Sequence, residues 1–309
     1  MGVIDTAGLT KRYPRVTALD SLDVSVGEGV TGLVGANGAG KSTLIKILLG
    51  LVPATSGTAS VLGHDVATDG SKIRSLVGYM PEHDCLPADV SASDLVVHMG
   101  QMSGLPYPSA RERASDVLRH VGLAEERYRP MGGYSTGMKQ RAKLAQALVH
   151  DPRLVLLDEP TNGLDPSSRD DTLALVRRIG TEFGIAVLVT SHLLGELERI
   201  SDHVVVLDSG RLLQSSATQD FMHTTGNLLV EVQGPTDADR MLGQALIERG
   251  LRAWPSGEMV EVEVQDATTR DVVRDVVVDL GLGLVRMQER HHRIEDVFRE
   301  GGAGSVQPT

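Results

Sequence analysis

The chain has 309 residues, about the length of two domains at roughly 150 residues each. Its 41 Asp and Glu outnumber 30 Lys and Arg, for a formal net charge of −11, which argues against nucleic acid as a partner. A content of 41% hydrophobic and 23% charged residues excludes a disordered or fibrous protein.

Cysteine content and apolar runs indicate the compartment. The lone Cys85 cannot form an internal disulfide, which favours a reducing environment. No apolar run approaches the ~18 residues that a membrane helix needs, and the first residues lack the pattern of a secretory signal. We therefore expect the protein to reach a membrane only through a partner.

The first 221 residues predict strands that alternate with helices. The predicted elements are strands at 3–9, 22–26 and 30–34, a helix at 43–51, a mainly helical segment at 87–150, strands at 154–157 and 185–190, a helix at 167–179 and a hairpin at 204–214. Residues 11–20 are expected to join the first two strands. Such alternation indicates an α/β fold whose mostly parallel sheet is covered by helices on both faces.

After about residue 222 the pattern of strands and helices starts again. The order β-α-β-β-α-β predicts a small ferredoxin-like α+β module over residues 222–300. Residues 222–309 hold nine Arg, no Lys and 15 Asp plus Glu, so their net charge is 9 − 15 = −6. Residues 301–309 are predicted to be a disordered tail.

Residues 35–42, here called the phosphate loop, read G-A-N-G-A-G-K-S and fit G-x-x-x-x-G-K-[ST] between a strand and a helix. Glycines let several backbone N–H groups converge on a phosphate, and the helix start adds partial positive charge. We expect Lys41 to hold the β- and γ-phosphates and Ser42 to place its hydroxyl on Mg²⁺. The residues predicted to contact the nucleotide here are Gly35, Asn37, Gly38, Gly40, Lys41, Ser42 and Thr43.

Two carboxylates follow the apolar strand at 154–157. Asp158 can reach Mg²⁺ directly or through its water, and Glu159 can orient and deprotonate an attacking water. Alone, the pair reads equally well as charged residues that end a strand. Together with the phosphate loop, it favours nucleotide hydrolysis. No guanine-reading Asn-Lys-x-Asp follows, so the predicted nucleotide is ATP. Tyr13 is expected to stack on adenine, with an ordinary core or surface tyrosine as the alternative.

These motifs, with YSTGMKQR at 134–141, LVLLDEPTNGLDP at 154–166 and Ser191–His192, resemble the ATP-binding subunit of an ABC transporter over roughly residues 3–221. The C-terminal module, which ends in RIEDVFRE, is similar to that of ATPases that serve drug and antibiotic exporters of the daunorubicin-resistance group. The resemblance implies a P-loop NTPase core with N-terminal antiparallel strands and a helical subdomain at about 87–150.

The resemblance also implies how the site is built. Two identical chains would pack head to tail, with each ATP held between the Lys41 loop of one copy and Ser135 to Gly137 of the other. Asp165 would connect the two sites across the interface, and His192 would contact the γ-phosphate. Lys41, Glu159 and His192 would be catalytic. The implied magnesium ligands are Ser42, Glu82 and Asp158.

Two residues depart from the family pattern. Thr136 stands where the family usually has glycine in Leu-Ser-Gly-Gly-Gln, and Glu82 stands where it normally has glutamine. A glutamate offers Mg²⁺ a charged oxygen, which favours metal binding but repels the γ-phosphate. The sequence therefore predicts an active but retuned ATPase.

The function implied by the resemblance is ATP-driven transport by separately encoded membrane subunits. The chain would act in the cytoplasm, on the inner face of the cell membrane, and residues 85–93 with the helices that follow would form the docking groove. Export is favoured by the C-terminal similarity. One alternative is a soluble ABC-type ATPase that acts on ribosomes or nucleic acid. Another is a nucleotide-binding scaffold without turnover, against which Lys41, Glu159 and His192 argue.

Overall fold

The structure is a computed structural model that describes residues 2–218, 224–257, 259–266 and 268–291. The chain divides into two units, Met1–Thr218 and Gln219–Thr309. The predicted boundary between residues 221 and 222 lies outside the described residues, as do the RIEDVFRE motif at 293–300 and the predicted tail at 301–309.

The first unit contains ten strands and seven α-helices within its described part. Its strands are β1 (Ile4–Tyr13), β2 (Val16–Val26), β3 (Val30–Val34), β4 (Ser56–Val61), β5 (His64–Asp65), β6 (Val77–Met80), β7 (Leu154–Asp158), β8 (Ala186–Ser191), β9 (His203–Asp208) and β10 (Arg211–Ala217). Its helices are α1 (Lys41–Leu48), α2 (Gly70–Leu76), α3 (Ala92–Met102), α4 (Tyr107–His120), α5 (Thr136–Leu148), α6 (Pro166–Thr181) and α7 (Leu194–Ile200).

A six-stranded sheet with the order β10-β9-β3-β8-β7-β6 forms the centre of this unit. Five of its strands run parallel, and β10 pairs antiparallel with β9 after a turn at Ser209 and Gly210. All residues of β3 and β7 are buried, as expected for parallel strands covered on both faces. The mostly parallel sheet and the hairpin are confirmed. The short strand β6 was not predicted.

The order of the strands places the motifs side by side. Strand β8 lies between β3 and β7, with Val34 paired to Ser191 and Asp158 paired to Thr190. The carboxyl ends of parallel strands meet at one edge of a sheet, where ligands bind in such folds. The phosphate loop, Asp158 and the residues after β8 therefore meet at this edge.

The N-terminal antiparallel strands are confirmed, but their connection was predicted wrongly. Strands β1 and β2 pair from Ile4 and Val26 to Tyr13 and Val16, so most of residues 11–20 is strand and not a connecting loop. The sheet also includes β4 and β5, in the order β2-β1-β4-β5. The residues of β1 and β2 next to the turn that joins them are mostly exposed, and several are polar, so the sequence shows no strand pattern there.

The segment 87–150 is mainly helical, as predicted, and consists of α3, α4 and α5 with two short 3-10 turns, Glu126–Tyr128 and Met131–Gly133. Ser91 caps α3 by accepting a hydrogen bond from the backbone N–H of Asp94 at 3.1 Å. Among the described residues, no helix is long and apolar enough to cross a membrane.

The second unit has the predicted β-α-β-β-α-β order. Its elements are β11 (Thr224–Gln233), α8 (Ala238–Glu248), β12 (Ala253–Ser256), β13 (Met259–Glu263), α9 (Thr269–Asp279) and β14 (Gly283–His291). They form an antiparallel sheet with the order β12-β13-β11-β14. Leu242 and Leu246 of α8, Val273 of α9, and Val230 and Val260 of the sheet belong to one separate core.

Candidate active site

The phosphate loop connects β3 to α1, which begins at Lys41 and ends at Leu48, so it starts and stops slightly before the predicted helix at 43–51. Gly40 has φ of 105°, and a Cβ there would lie 2.5 Å from the carbonyl oxygen of Ala18. A Cβ at Gly35 would lie 2.6 Å from the carbonyl oxygen of Leu207. Only glycine fits these two positions without displacing backbone, so the loop can curl tightly in front of the helix.

A cleft of about 620 Å³ opens over the phosphate loop. Most of the predicted site residues line it: Tyr13, Asn37, Gly38, Gly40, Lys41, Ser42, Thr43, Glu82, Glu159 and His192. Other lining residues were not predicted: Val16, Ala18, Ala36, Ala39 and Asn162. The structure thus collects residues that are up to 179 positions apart, counted from Tyr13 to His192 as 192 − 13, around one space.

Lys41 is buried at the bottom of this cleft. Its ammonium donates a hydrogen bond to the carbonyl oxygen of Gly35 at 2.6 Å and lies 3.3 Å from Oε1 of Glu159. A lysine ammonium has three N–H donors and no acceptor, so it can serve a phosphate from the same position. An anionic ligand in the cleft competes with Glu159 for this cation.

Glu159 and His192 form a contact at the edge of the cleft. Nδ1 of His192 lies 2.9 Å from Oε2 of Glu159, which places the proton of this contact on Nδ1 and leaves Nε2 for another partner. The backbone of Glu159 has φ of 49°, a left-handed conformation that is rare outside glycine. Such strain persists only where surrounding contacts hold it, and it is typical of functional sites.

Thr190 is one of those contacts, and it was not predicted. Its Oγ1 accepts the backbone N–H of Glu159 at 2.9 Å and donates to Oδ1 of Asp158 at 2.9 Å. Thr190 is fully buried at the end of β8, next to the end of β7. One threonine therefore holds both the carboxylate of Asp158 and the backbone of Glu159. The only signal in the sequence is its place at the end of a strand, directly before Ser191 and His192.

Asp158 offers the oxygen chemistry that a magnesium site requires. Its Oδ1 accepts a hydrogen bond from the hydroxyl of Ser42 at 3.4 Å. Burial raises the pKa of Asp158, and the hydrogen bonds from Thr190 and Ser42 counteract this shift. Glu82 and Ser42 line the cleft, and Asp158 lies behind Ser42 without lining it. A hydroxyl and carboxylates are the hard ligands that Mg²⁺ prefers, so these residues fit the ion.

Tyr13 ends β1 and borders the opposite end of the cleft. Its side chain is 39% exposed, so it is not a core tyrosine. The ammonium of Lys11 lies 5.1 Å from the centre of its ring. An exposed ring beside a cleft can stack on a base, and the contact of Tyr13 with adenine stays a prediction.

Ser135, Gly137 and Asp165 are not among the residues that line this cleft. Ser135 caps α5 by accepting the backbone N–H of Met138 at 3.3 Å, and Gly137 lies in the first turn of that helix. Asp165 caps α6 by accepting the backbone N–H of Ser168 at 3.0 Å and its hydroxyl at 2.7 Å. These hydrogen bonds lower the pKa of Asp165. Its predicted role at an interface stays a prediction.

Comparison with known proteins decides the family. The ABC transporter family profile matches residues 19–162. The daunorubicin/doxorubicin resistance ATP-binding protein DrrA of Streptomyces peucetius is 35% identical over 249 residues, which are 79% of this chain and 75% of that protein. This chain belongs to the ATP-binding proteins of ABC transporters.

Two further similarities support this family. The Nod factor export ATP-binding protein I of Ralstonia nicotianae is 34% identical over 299 residues, which cover 96% of this ABC ATPase and 92% of that protein. The solved structure of CbiO1 from Clostridium perfringens, part of the ABC transporter complex CbiONQ, is 26% identical with a TM-score of 0.66. It covers 71% of this chain and 90% of its own. The P-loop NTPase core predicted from the motifs is confirmed.

A buried network behind the ABC ATPase site was also missed by sequence reasoning. Oε2 of Glu196 accepts hydrogen bonds from the hydroxyls of Thr161 at 2.7 Å and Ser191 at 3.3 Å. Its Oε1 lies 3.1 Å from Nε of Arg169 on α6. Glu196 thus connects the segment after Glu159 to the segment that carries His192. No local pattern in the sequence marks this glutamate.

Proposed function

We propose that this protein is the magnesium-dependent ATPase subunit of an ABC exporter, and that it converts ATP and water to ADP and phosphate. The observation that carries the proposal is the convergence of Lys41, Glu159 and His192 on one cleft, beside the Ser42 and Asp158 oxygens. Membership of the ABC family makes ATP the nucleotide.

In this proposal, the phosphate loop and Lys41 hold the β- and γ-phosphates, while Tyr13 contacts the adenine. Ser42, Asp158 and Glu82 would hold Mg²⁺, which neutralises phosphate charge when bound. Glu159 accepts a proton from the attacking water, because its carboxylate is fixed at the rim by Lys41 and His192. His192 directs its remaining ring nitrogen to the γ-phosphate.

A second copy of the chain completes the site in this proposal. Ser135 and Gly137 begin α5, whose N-terminus can bind an anion, but they do not line the cleft of their own chain. The proposal places them on the ATP of the partner copy, with Asp165 at the interface between the two sites. ATP then joins two copies, and hydrolysis releases them.

The proposed partners are separately encoded membrane subunits. Two relatives are named as export or resistance proteins, and CbiO1 is part of a transporter complex. By analogy, we place the protein in the cytoplasm on the inner face of the cell membrane, where ATP is available. Residues 85–93 and the helices that follow are the proposed docking groove.

Lys41→Ala tests the nucleotide site. We expect ATP affinity to fall strongly, because the variant loses the only buried cation among the lining residues of the cleft that the structure describes. Lys46→Ala is the matched control, because Lys46 is exposed on the same helix. Equilibrium binding of a fluorescent ATP analogue to each purified variant is the measurement. Affinity of Lys41→Ala equal to that of Lys46→Ala would contradict the assignment.

A further inference from the structure

Lys143 is a buried lysine that the proposed mechanism does not use. It lies on α5 with 3% of its surface exposed. Its ammonium donates to three successive carbonyl oxygens, those of Pro81 at 2.7 Å, Glu82 at 3.0 Å and His83 at 3.3 Å. The three donors of the ammonium are thereby satisfied by a single loop segment.

Burial of a lysine charge is costly unless the charge is both paired with an opposite charge and hydrogen-bonded, and the partners of Lys143 are neutral carbonyl groups, so this arrangement needs a reason. Among the described residues, no carboxylate lies within ion-pair distance of Lys143. Its partners are all backbone oxygens of the segment that follows β6 and carries Glu82 into the cleft. The contact therefore fixes the path of this segment and does not neutralise a particular side chain.

The side-chain carboxylate of Glu82 is also connected to α5, through Asn162 and Gln140. Nε2 of Gln140, which is buried one turn before Lys143, donates to the carbonyl oxygen of Asn162 at 3.3 Å. Nδ2 of Asn162 in turn donates to Oε1 of Glu82 at 3.2 Å. Glu82 is thus bound at its backbone by Lys143 and at its carboxylate through Asn162, and both connections end on α5.

We propose that Lys143 is a positioning residue for Glu82, and that it couples the cleft of one site to the helix that begins at Ser135. Eight residues separate Ser135 from Lys143, about 12 Å along a helix at 1.5 Å per residue. A displacement of α5 therefore carries Glu82 with it. This inference rests on the proposed function, because it assigns Glu82 to the magnesium and nucleotide site.

Lys143→Met tests the coupling, because methionine is an unbranched side chain only one atom shorter than lysine and removes every donor. We expect the backbone amides of residues 82–86 to exchange hydrogen faster in the nucleotide-free variant, as measured by mass spectrometry. We also expect kcat to fall, or the Mg²⁺ concentration for half-maximal ATPase to rise, by roughly 10–100-fold, the range for outer-shell partners of a metal site. ATP-analogue affinity should stay near the wild-type value, because the phosphate loop is unchanged.

Lys72→Met is the matched control, since Lys72 is exposed on α2 and the substitution removes the same charge from the same unit. If Lys143→Met does not fold, as judged by circular dichroism, Lys143→Gln is measured in its place against the same criteria. Exchange and Mg²⁺ dependence equal to those of Lys72→Met would overturn the inference.

A double-mutant cycle with Glu82→Gln separates positioning from a general structural effect. If Lys143 acts through Glu82, its substitution should change Mg²⁺ dependence much less in the Glu82→Gln background than in the wild type. Equal effects in both backgrounds would overturn the inference. Wild-type ATPase activity is the reference, and its absence would refute the proposed function. Normal wild-type turnover, together with effects of Lys143→Met and Glu82→Gln on Mg²⁺ dependence that simply add, would refute only the coupling.

Discussion

Glu159 combines a left-handed backbone, an ion pair with Lys41 and a hydrogen bond with His192. The left-handed conformation turns the carboxylate away from the path of β7 and into the cleft. Thr190 holds the backbone N–H of Glu159 in that position. The strain at this residue is thus offset by contacts from β8, and a carboxylate is directed into the cleft.

Glu159→Gln should lower ATP hydrolysis by about 10²–10⁴-fold, the usual contribution of a general base, because the amide cannot accept the proton of water. The variant should still bind ATP, since the phosphate loop is intact. Steady-state phosphate release and nucleotide binding are the measurements. Glu248→Gln, at an exposed position of α8, is the control. Turnover of Glu159→Gln at the control rate would refute its role.

At this scale the sequence predicts most of the residues that meet at the cleft but not the contacts that orient them. The phosphate loop and LVLLDEP place Lys41 and Asp158 at known points relative to a strand and a helix, so their positions follow from local pattern. Thr190 and Lys143 act through partners 32 and 62 positions away. Only the pairing of β7 with β8 and the packing of α5 beneath the segment after β6 bring these groups together.

Helices α6 and α7 position two segments of the site through Glu196. Its carboxylate accepts hydrogen bonds from the hydroxyls of Thr161 and Ser191 and forms an ion pair with Arg169. Glu196 is only 7% exposed. Buried networks in which every polar group has a hydrogen-bond partner fix loop geometry, because the removal of one side chain leaves its buried neighbours without a partner. The segment that carries His192 is therefore bound to the segment after Glu159 by a side chain that does not line the cleft.

Glu196→Gln should lower the free energy of unfolding by about 1–3 kcal/mol, because a buried acceptor is weakened and Arg169 loses its charged partner. Urea unfolding of the purified protein is the measurement. Asp170→Asn is the control: Asp170 and Arg199 pair at 2.8 Å between the same two helices, but both are exposed. Such surface pairs contribute about 0–1 kcal/mol. Equal losses in both variants would contradict the importance of the Glu196 network.

Strands with strong apolar patterns were predicted well, and short or partly exposed strands were not. Strands β3, β7 and β8 are continuous apolar runs because both of their faces are covered. Strand β6 has only four residues, too few to show a period. Near the turn that joins them, β1 and β2 carry polar residues that read as a loop. Their strand structure comes from pairing with each other, which a local pattern does not encode.

The whole molecule joins an ABC ATPase core to a separate α+β module with its own core. The order of elements in the second unit follows from sequence pattern, whereas the site as proposed is completed only by a second chain. Ser135 and Gly137 lie at the start of α5 and do not line the cleft of their own copy. This placement gives the central claim: two identical chains enclose each ATP.

Light scattering of the Glu159→Gln variant, with and without nucleotide, tests this claim most directly. With ATP and Mg²⁺, the account predicts a shift from the mass of one chain, 33.0 kDa, to twice that mass, because unhydrolysed ATP keeps the two copies together. ADP should leave the single-chain mass. A variant that binds ATP, as shown by a nucleotide assay on the same sample, and still keeps the mass of one chain would contradict the account.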